Sequence, residues 1–198
     1  MPILLIASTA VADPVEDITA AARATFDGMP YVRTVDRIAD NCGADERVSE
    51  QVAYCTSRNL ILMAKSAREQ PETPYLIAHA YGHAVQVRHG VADFALGQIR
   101  RRRDEEAMLR GLVERQVDCI AGYLVARAGL APMQLGDLVT EEPLTDIHWG
   151  RDPLRLGPAL SIGLGAREDW FLIGQAGDLA ACAQGEFGAE LLLAALKP

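Results

Sequence analysis

Apolar positions recur at helical spacing in some stretches of the chain and form short extended runs in others. From Asp13 to Gly28, Val15, Ile18, Ala21, Ala22 and Thr25 share one face of a 3.6-residue repeat, which predicts an amphipathic helix stopped by Gly28 and Pro30. Tyr31 to Asp40 is assigned no element, and the charged stretch from Ala44 to Glu50 reads as a loop. Gln51 to Cys55 and Leu60 to Met63 are strand-like runs separated by Thr56, Ser57, Arg58 and Asn59, so a β-hairpin is expected there. Thr73-Pro74 offers a hydroxyl at N-cap and a proline at N1, opening a helix through an apolar run to about His89, with Gly90 as the C′ residue. A second long helix is expected from Asp104 to Gly129, ahead of Ala131-Pro132. Leu135 to Pro158 is rich in Pro, Gly, Asp and Glu and reads as loop with one short helix. Ala166 to Gly174 and Glu186 to Leu196 follow as helices, the latter docking Leu191, Leu192, Leu193 and Leu196 on the core.

A chain of 198 residues that is 49% hydrophobic can bury one substantial core, so residues 13–198 are expected to form a single domain. The pattern makes that domain α+β, mainly helical, with a small β-hairpin or sheet ahead of the first long helix. A formal net charge of -8 argues against a nucleic-acid partner, which would meet a basic face. The basic run Arg100 to Arg103 reads as a solvated turn before the acidic start at Asp104, Glu105 and Glu106.

Ile3 to Ala12 is apolar but too short to span a bilayer, and no other segment approaches that length. Its end, Ala10-Val11-Ala12, fits an A-x-A cleavage site, so residues 1–12 read as a signal peptide, although only Met1 and Pro2 precede the apolar run and neither is basic. Four cysteines, an even number, permit two disulfides in an oxidising compartment, and the expectation is an exported protein, periplasmic or secreted. Cys42 and Cys55 bracket the loop that enters the hairpin. A bridge between them would stabilise the fold by about 3 kcal/mol in the chain-entropy estimate.

The chemistry concentrates in Tyr75 to Gly90, YLIAHAYGHAVQVRHG. His79 and His83 stand at i and i+4 on one helix face, the spacing with which the H-E-x-x-H helix of metalloproteases places both imidazoles on one zinc ion. The position between them that carries the general-base glutamate in that motif is Ala80 here. A third ligand can come from a carboxylate on a following helix. Glu114 fits, and Asp118, one turn on, can accept a hydrogen bond from the far nitrogen of a ligand histidine. The bland alternative is a pair of core or surface histidines with no ion. His89 and His148 are expected to be exposed or satisfied, and Tyr81 points too far around the helix to replace a base at position 80.

Several segments carry a family resemblance. Tyr75 to Gln86, YLIAHAYGHAVQ, resembles the H-E-Y-G-H-x-V-Q helix of the neutral zinc metallopeptidases of bacteria. Glu114 to Gly122, ERQVDCIAG, is similar to that family's E-x-Q-A-D-C-x-A-G segment. Cys42-Gly43 with Ala53-Tyr54-Cys55 resembles its C-G and F-Y-C elements, and Arg167 to Phe171, Gly174, Gly177-Asp178 and Cys182 its R-x-x-W-F, G, G-D and C series. The match runs in order over about residues 40–185. It implies a zincin-like fold, a zinc ion on His79, His83 and Glu114 with Asp118 behind a histidine, a peptide or protein in the cleft, and a second bridge between Cys119 and Cys182.

The chain departs from that pattern at two positions. Ala80 replaces the glutamate, and Ser161 falls about where the family carries a histidine. The resemblance therefore implies a retained zinc site with weak or absent peptidase activity, since a general acid-base group is worth about 10²–10⁴-fold in rate. An active hydrolase with another base, a peptide-binding module and a metal-free relic are the rival readings.

Overall fold

Asp13 opens the first helix, α1 (Pro14–Thr25), by accepting a 3.0 Å hydrogen bond from the Val15 N–H, and Pro14 occupies the first turn, where its missing N–H costs nothing. The structure, a computed structural model, describes residues 13–39, 41–44, 51–145 and 160–198. The signal-peptide reading of residues 1–12, most of the charged loop ahead of the hairpin, and His148 lie outside the described residues. Val15, Ile18 and Ala22 are buried on the inner face of α1, as their spacing predicts.

The expected hairpin is β2 (Val52–Cys55) with β3 (Leu60–Ala64), antiparallel, with Val52 opposite Met63. A further strand, β1 (Tyr31–Val35), extends the sheet on the other side of β3, in parallel register, giving the order β1-β3-β2. β1 falls in the stretch from Tyr31 to Asp40, for which the sequence pattern predicts no element. It lies at the sheet edge with no fully buried residue, so its apolar and polar positions carry little contrast.

α2 (Thr73–Arg88) carries both histidines and is buried nearly all round, packed on α1, the sheet and the next long helix. The Thr73 hydroxyl, expected as its cap, instead donates to the Ala67 carbonyl and ties the helix to the turn that precedes it. Gly90 ends α2 with φ 83°, the left-handed geometry its position predicts. Val91–Arg101 then forms α3 over a stretch that carries no expected element up to Ile99: Val91, Ala95 and Ile99 stand four apart and are all buried, and the helix runs through Arg100 and Arg101, the first half of the expected turn, before it ends. α4 (Glu106–Arg127) follows a single 3₁₀ turn, and α5 (Leu135–Leu138) is the one short helix of the following stretch among the described residues.

α6 (Leu164–Gln175) matches the expected helix, but α7 (Glu190–Ala194) is shorter than predicted. Phe187 pairs with Gln184 in a β-bridge and is drawn into a satellite core with Ala95, Ile99, Leu109 and Val113, so the chain cannot be helical there. Disulfides join Cys42 to Cys55 and Cys119 to Cys182. No described helix is long and apolar enough to cross a membrane.

Glycines set the helix spacing. A Cβ on Gly82 would stand 2.8 Å from the Val117 carbonyl oxygen, so α2 and α4 approach almost backbone to backbone between the two histidines. A Cβ on Gly122 would stand 1.9 Å from the Phe171 oxygen, and one on Gly174 1.9 Å from the Cys119 oxygen. Thus α2, α4 and α6 form one tightly crossed layer, and the site lies within it.

Candidate metal centre

Because α2 and α4 touch at Gly82 and Val117, Glu114, one turn earlier on α4, reaches both imidazoles. Glu114 Oε2 is 3.7 Å from His79 Nε2, and Oε1 is 3.7 Å from His83 Nε2. These gaps are too long for hydrogen bonds and suit donors gathered around one small ion. The candidate ligand atoms of His79, His83 and Glu114 lie within 4.8 Å of one another, and the group can hold a metal ion. Among the described residues Glu114 Oε1 is buried with no hydrogen-bond partner. Such an orphan costs free energy in a closed core, and a bound cation would satisfy it.

Exposure gives the group a direction. The side chains of His79 and Glu114 are 5% and 0% exposed, whereas His83 is 24% exposed, so the site opens on the His83 side.

Asp118 lies beside His79, on the side away from Glu114. Its Oδ1 accepts from the Tyr75 hydroxyl at 2.8 Å and pairs with His79 Nδ1 at 2.9 Å. A carboxylate partner places the proton on Nδ1, which leaves the Nε2 lone pair facing Glu114. Burial pushes the Tyr75 hydroxyl well above the usual phenol range, with the Asp118 charge adding to it, so Tyr75 acts as a fixed donor.

Two residues joined to the group by hydrogen bonds were not legible as such. Arg167, on α6, is fully buried, and its Nη1 donates to Asp118 Oδ2 at 3.0 Å and to Glu114 Oε2 at 3.3 Å. Its Nε donates to Glu142 Oε1 at 2.9 Å, which also accepts the Ile162 N–H at 2.9 Å. The Ser161 hydroxyl donates to the other Glu142 oxygen. Arg167 had appeared only as the first letter of a motif, and Glu142 only as one acid in a loop; no periodicity marks a loop carboxylate that folds back on a helix. Burial pushes the Glu142 carboxyl up, but the hydrogen bonds from Ser161, Ile162 and Arg167 outweigh it and hold it below the usual range.

The remaining candidates fall outside the group. Ala80 adjoins His79 with a methyl only. The Tyr81 hydroxyl donates to the Pro30 carbonyl at 3.0 Å, and burial raises it to about 12. His89 Nε2 bonds the Asp27 carbonyl at 3.0 Å, so it is satisfied as expected. A separate cavity of about 330 Å³ lies between α1 and β1, lined by Arg23, Tyr31 and Arg68 among others, and includes none of the metal group.

Comparison with protein-family models, with curated proteins and with solved structures finds no match to the chain.

A pH dependence follows. Burial raises the Glu114 carboxyl, and the Arg167 guanidinium beside it works the other way without cancelling the rise. A raised folded value means that Glu114 contributes stability below its ordinary carboxyl range and loses it as pH rises through the folded value. Metal binding needs Glu114 ionised and both histidines neutral, so bound metal relieves the cost where it is largest. The gain in Tm on adding metal should accordingly grow from pH 5 to pH 8, read by calorimetry; a gain that shrinks with rising pH would contradict this.

Proposed function

We propose that the chain is an exported zinc-binding protein of the bacterial zinc-metallopeptidase type, zincin-like in arrangement, with peptide hydrolysis weak or lost. The observation that carries the proposal is the convergence of two Nε2 atoms on the buried Glu114 carboxylate, one facing each oxygen, of which Oε1 has no hydrogen-bond partner among the described residues. Two imidazoles and one carboxylate form a His₂Glu donor set of the kind that suits zinc in catalytic sites with an open position. The exposed edge of His83 is where a peptide or protein segment would enter. Two disulfides support export, since such bonds persist in oxidising compartments.

Zinc bound there would supply Lewis acidity toward a peptide carbonyl. His79, His83 and Glu114 would hold it, and Asp118 would keep His79 in the ligating tautomer. A group that takes and returns a proton is what the described site lacks. Ala80 has no such atom, Tyr75 donates to Asp118, Tyr81 to Pro30, and Glu142 is engaged by three donors. Ser161, at the second departure from the family pattern, spends its hydroxyl on Glu142. These engagements weigh against another side chain serving as base, and absence of the acid-base step alone lowers the rate by about 10²–10⁴-fold.

The test is hydrolysis of a mixed peptide library by protein shown to carry zinc. No cleavage above the metal-stripped control is expected. Zinc-dependent cleavage that disappears in Glu114→Gln would overturn the impaired-enzyme reading.

A further inference from the structure

Arg167 comes from α6, whereas the two carboxylates it holds at the centre both come from α4. A single atom, Nη1, ties Glu114 to Asp118: the first is a candidate metal ligand, the second orients His79. The opposite side of the guanidinium is fixed by Glu142, whose own position is fixed by the Ser161 hydroxyl and the Ile162 N–H. The path runs from an exposed serine, through a carboxylate 12% exposed, to a guanidinium and a ligand that are both fully buried. One guanidinium among three carboxylates also leaves two negative charges, the charge of one divalent cation.

We propose that Arg167 is a positioning residue for the metal centre, seated by Glu142 and Ser161, so that metal affinity is set by a relay beginning at the rim. The planar fork is essential to this role. A lysine ammonium is a point charge that cannot reach Glu142 and the Glu114–Asp118 pair at once. Removing the Glu142 charge leaves Arg167 less compensated, drawing it harder onto Glu114 and adding positive potential beside the ion. Both changes act against metal binding. The inference rests on the metal-centre reading.

The experiment compares full-length wild type with Arg167→Lys, Glu142→Gln and Ser161→Ala. Zinc affinity is measured by competition with a chromogenic chelator, and the visible spectrum is recorded with Co²⁺ in place of zinc. Arg167→Lys and Glu142→Gln should each weaken zinc binding by roughly 10–100-fold and alter the Co²⁺ bands, the scale typical of partners that orient metal ligands. Ser161→Ala should do the same to a smaller degree. Circular dichroism and the metal-free Tm report folding, and Glu142→Gln, nearer the rim, keeps the test open if Arg167→Lys fails to fold. Unchanged affinity and spectrum in folded variants would overturn the inference while leaving the metal centre standing, as would a loss of affinity with unaltered Co²⁺ bands, which marks a merely structural role. Absence of metal binding in wild type would overturn both.

Discussion

Ala80→Glu should raise zinc-dependent peptide hydrolysis by about 10²-fold or more over wild type, the scale of a positioned general acid-base group. Residue 80 directly follows His79 on α2, so a carboxylate there would stand on the same helix turn as a ligand. The surrounding parts are already in place: His79 is fixed by Asp118, Glu114 faces both imidazoles, and the site opens beside His83. Position 80 is only 5% exposed, so the longer side chain must find room, and the variant's Tm and zinc content belong to the measurement. No gain in a folded, zinc-loaded variant would mean that the site has diverged beyond this residue. Ser161, held on Glu142, is then the next position to change. A wild type as active as the variant would show that another group serves as base.

Gly174→Ala should destabilise the protein by about 3 kcal/mol or more, at the upper end of overpacking substitutions. The added Cβ would meet the Cys119 carbonyl oxygen at 1.9 Å and the Tyr123 nitrogen at 2.7 Å. Neither atom can swing aside, because both belong to the backbone of α4, so the helices must part. At roughly 2–4 °C per kcal/mol for a chain of this size, the Tm should fall by about 6–12 °C or more. Gly165→Ala is the control on the same helix: nothing lies within 4 Å of its Cβ, and helix propensity favours alanine. A Gly174→Ala protein that melts with wild type would show that α4 and α6 are not in backbone contact. Separation of these helices would also carry Arg167 away from Glu114 and Asp118, so zinc affinity should drop with stability.

Much of this arrangement was legible because it is local. The i, i+4 histidines, Gly90 after α2, the β2–β3 hairpin and the long helix bearing Glu114 and Asp118 all follow from spacing within one element. Even the use of Asp118 as partner to a histidine needs only two helices with their apolar faces together. What escaped depends on contacts between distant segments. β1 is a strand because Leu60–Ala64 offers it a parallel partner, and α7 starts late because Phe187 finds a pocket beside α3 and α4. Arg167 and Glu142 are charged residues whose significance lies in their burial and their partners, which hydropathy assigns to the surface. α3 is a different case: Val91, Ala95 and Ile99 have helix-face spacing within one element, yet only Arg100 to Arg103 at its end carries an expectation, a turn.

Zinc titration of the metal-stripped protein, with wild type, His83→Ala and His89→Ala side by side, tests the central claim most directly. His83 Nε2 faces Glu114, whereas His89 Nε2 is bonded to the Asp27 carbonyl, so the two histidines differ in surroundings though not in residue type. The account predicts about one zinc per chain in wild type and in His89→Ala, with affinity lowered by at least about 10-fold in His83→Ala, the least expected when a direct ligand is lost. Metal content near zero in wild type after supplementation, or equal affinities for the two variants, would contradict it.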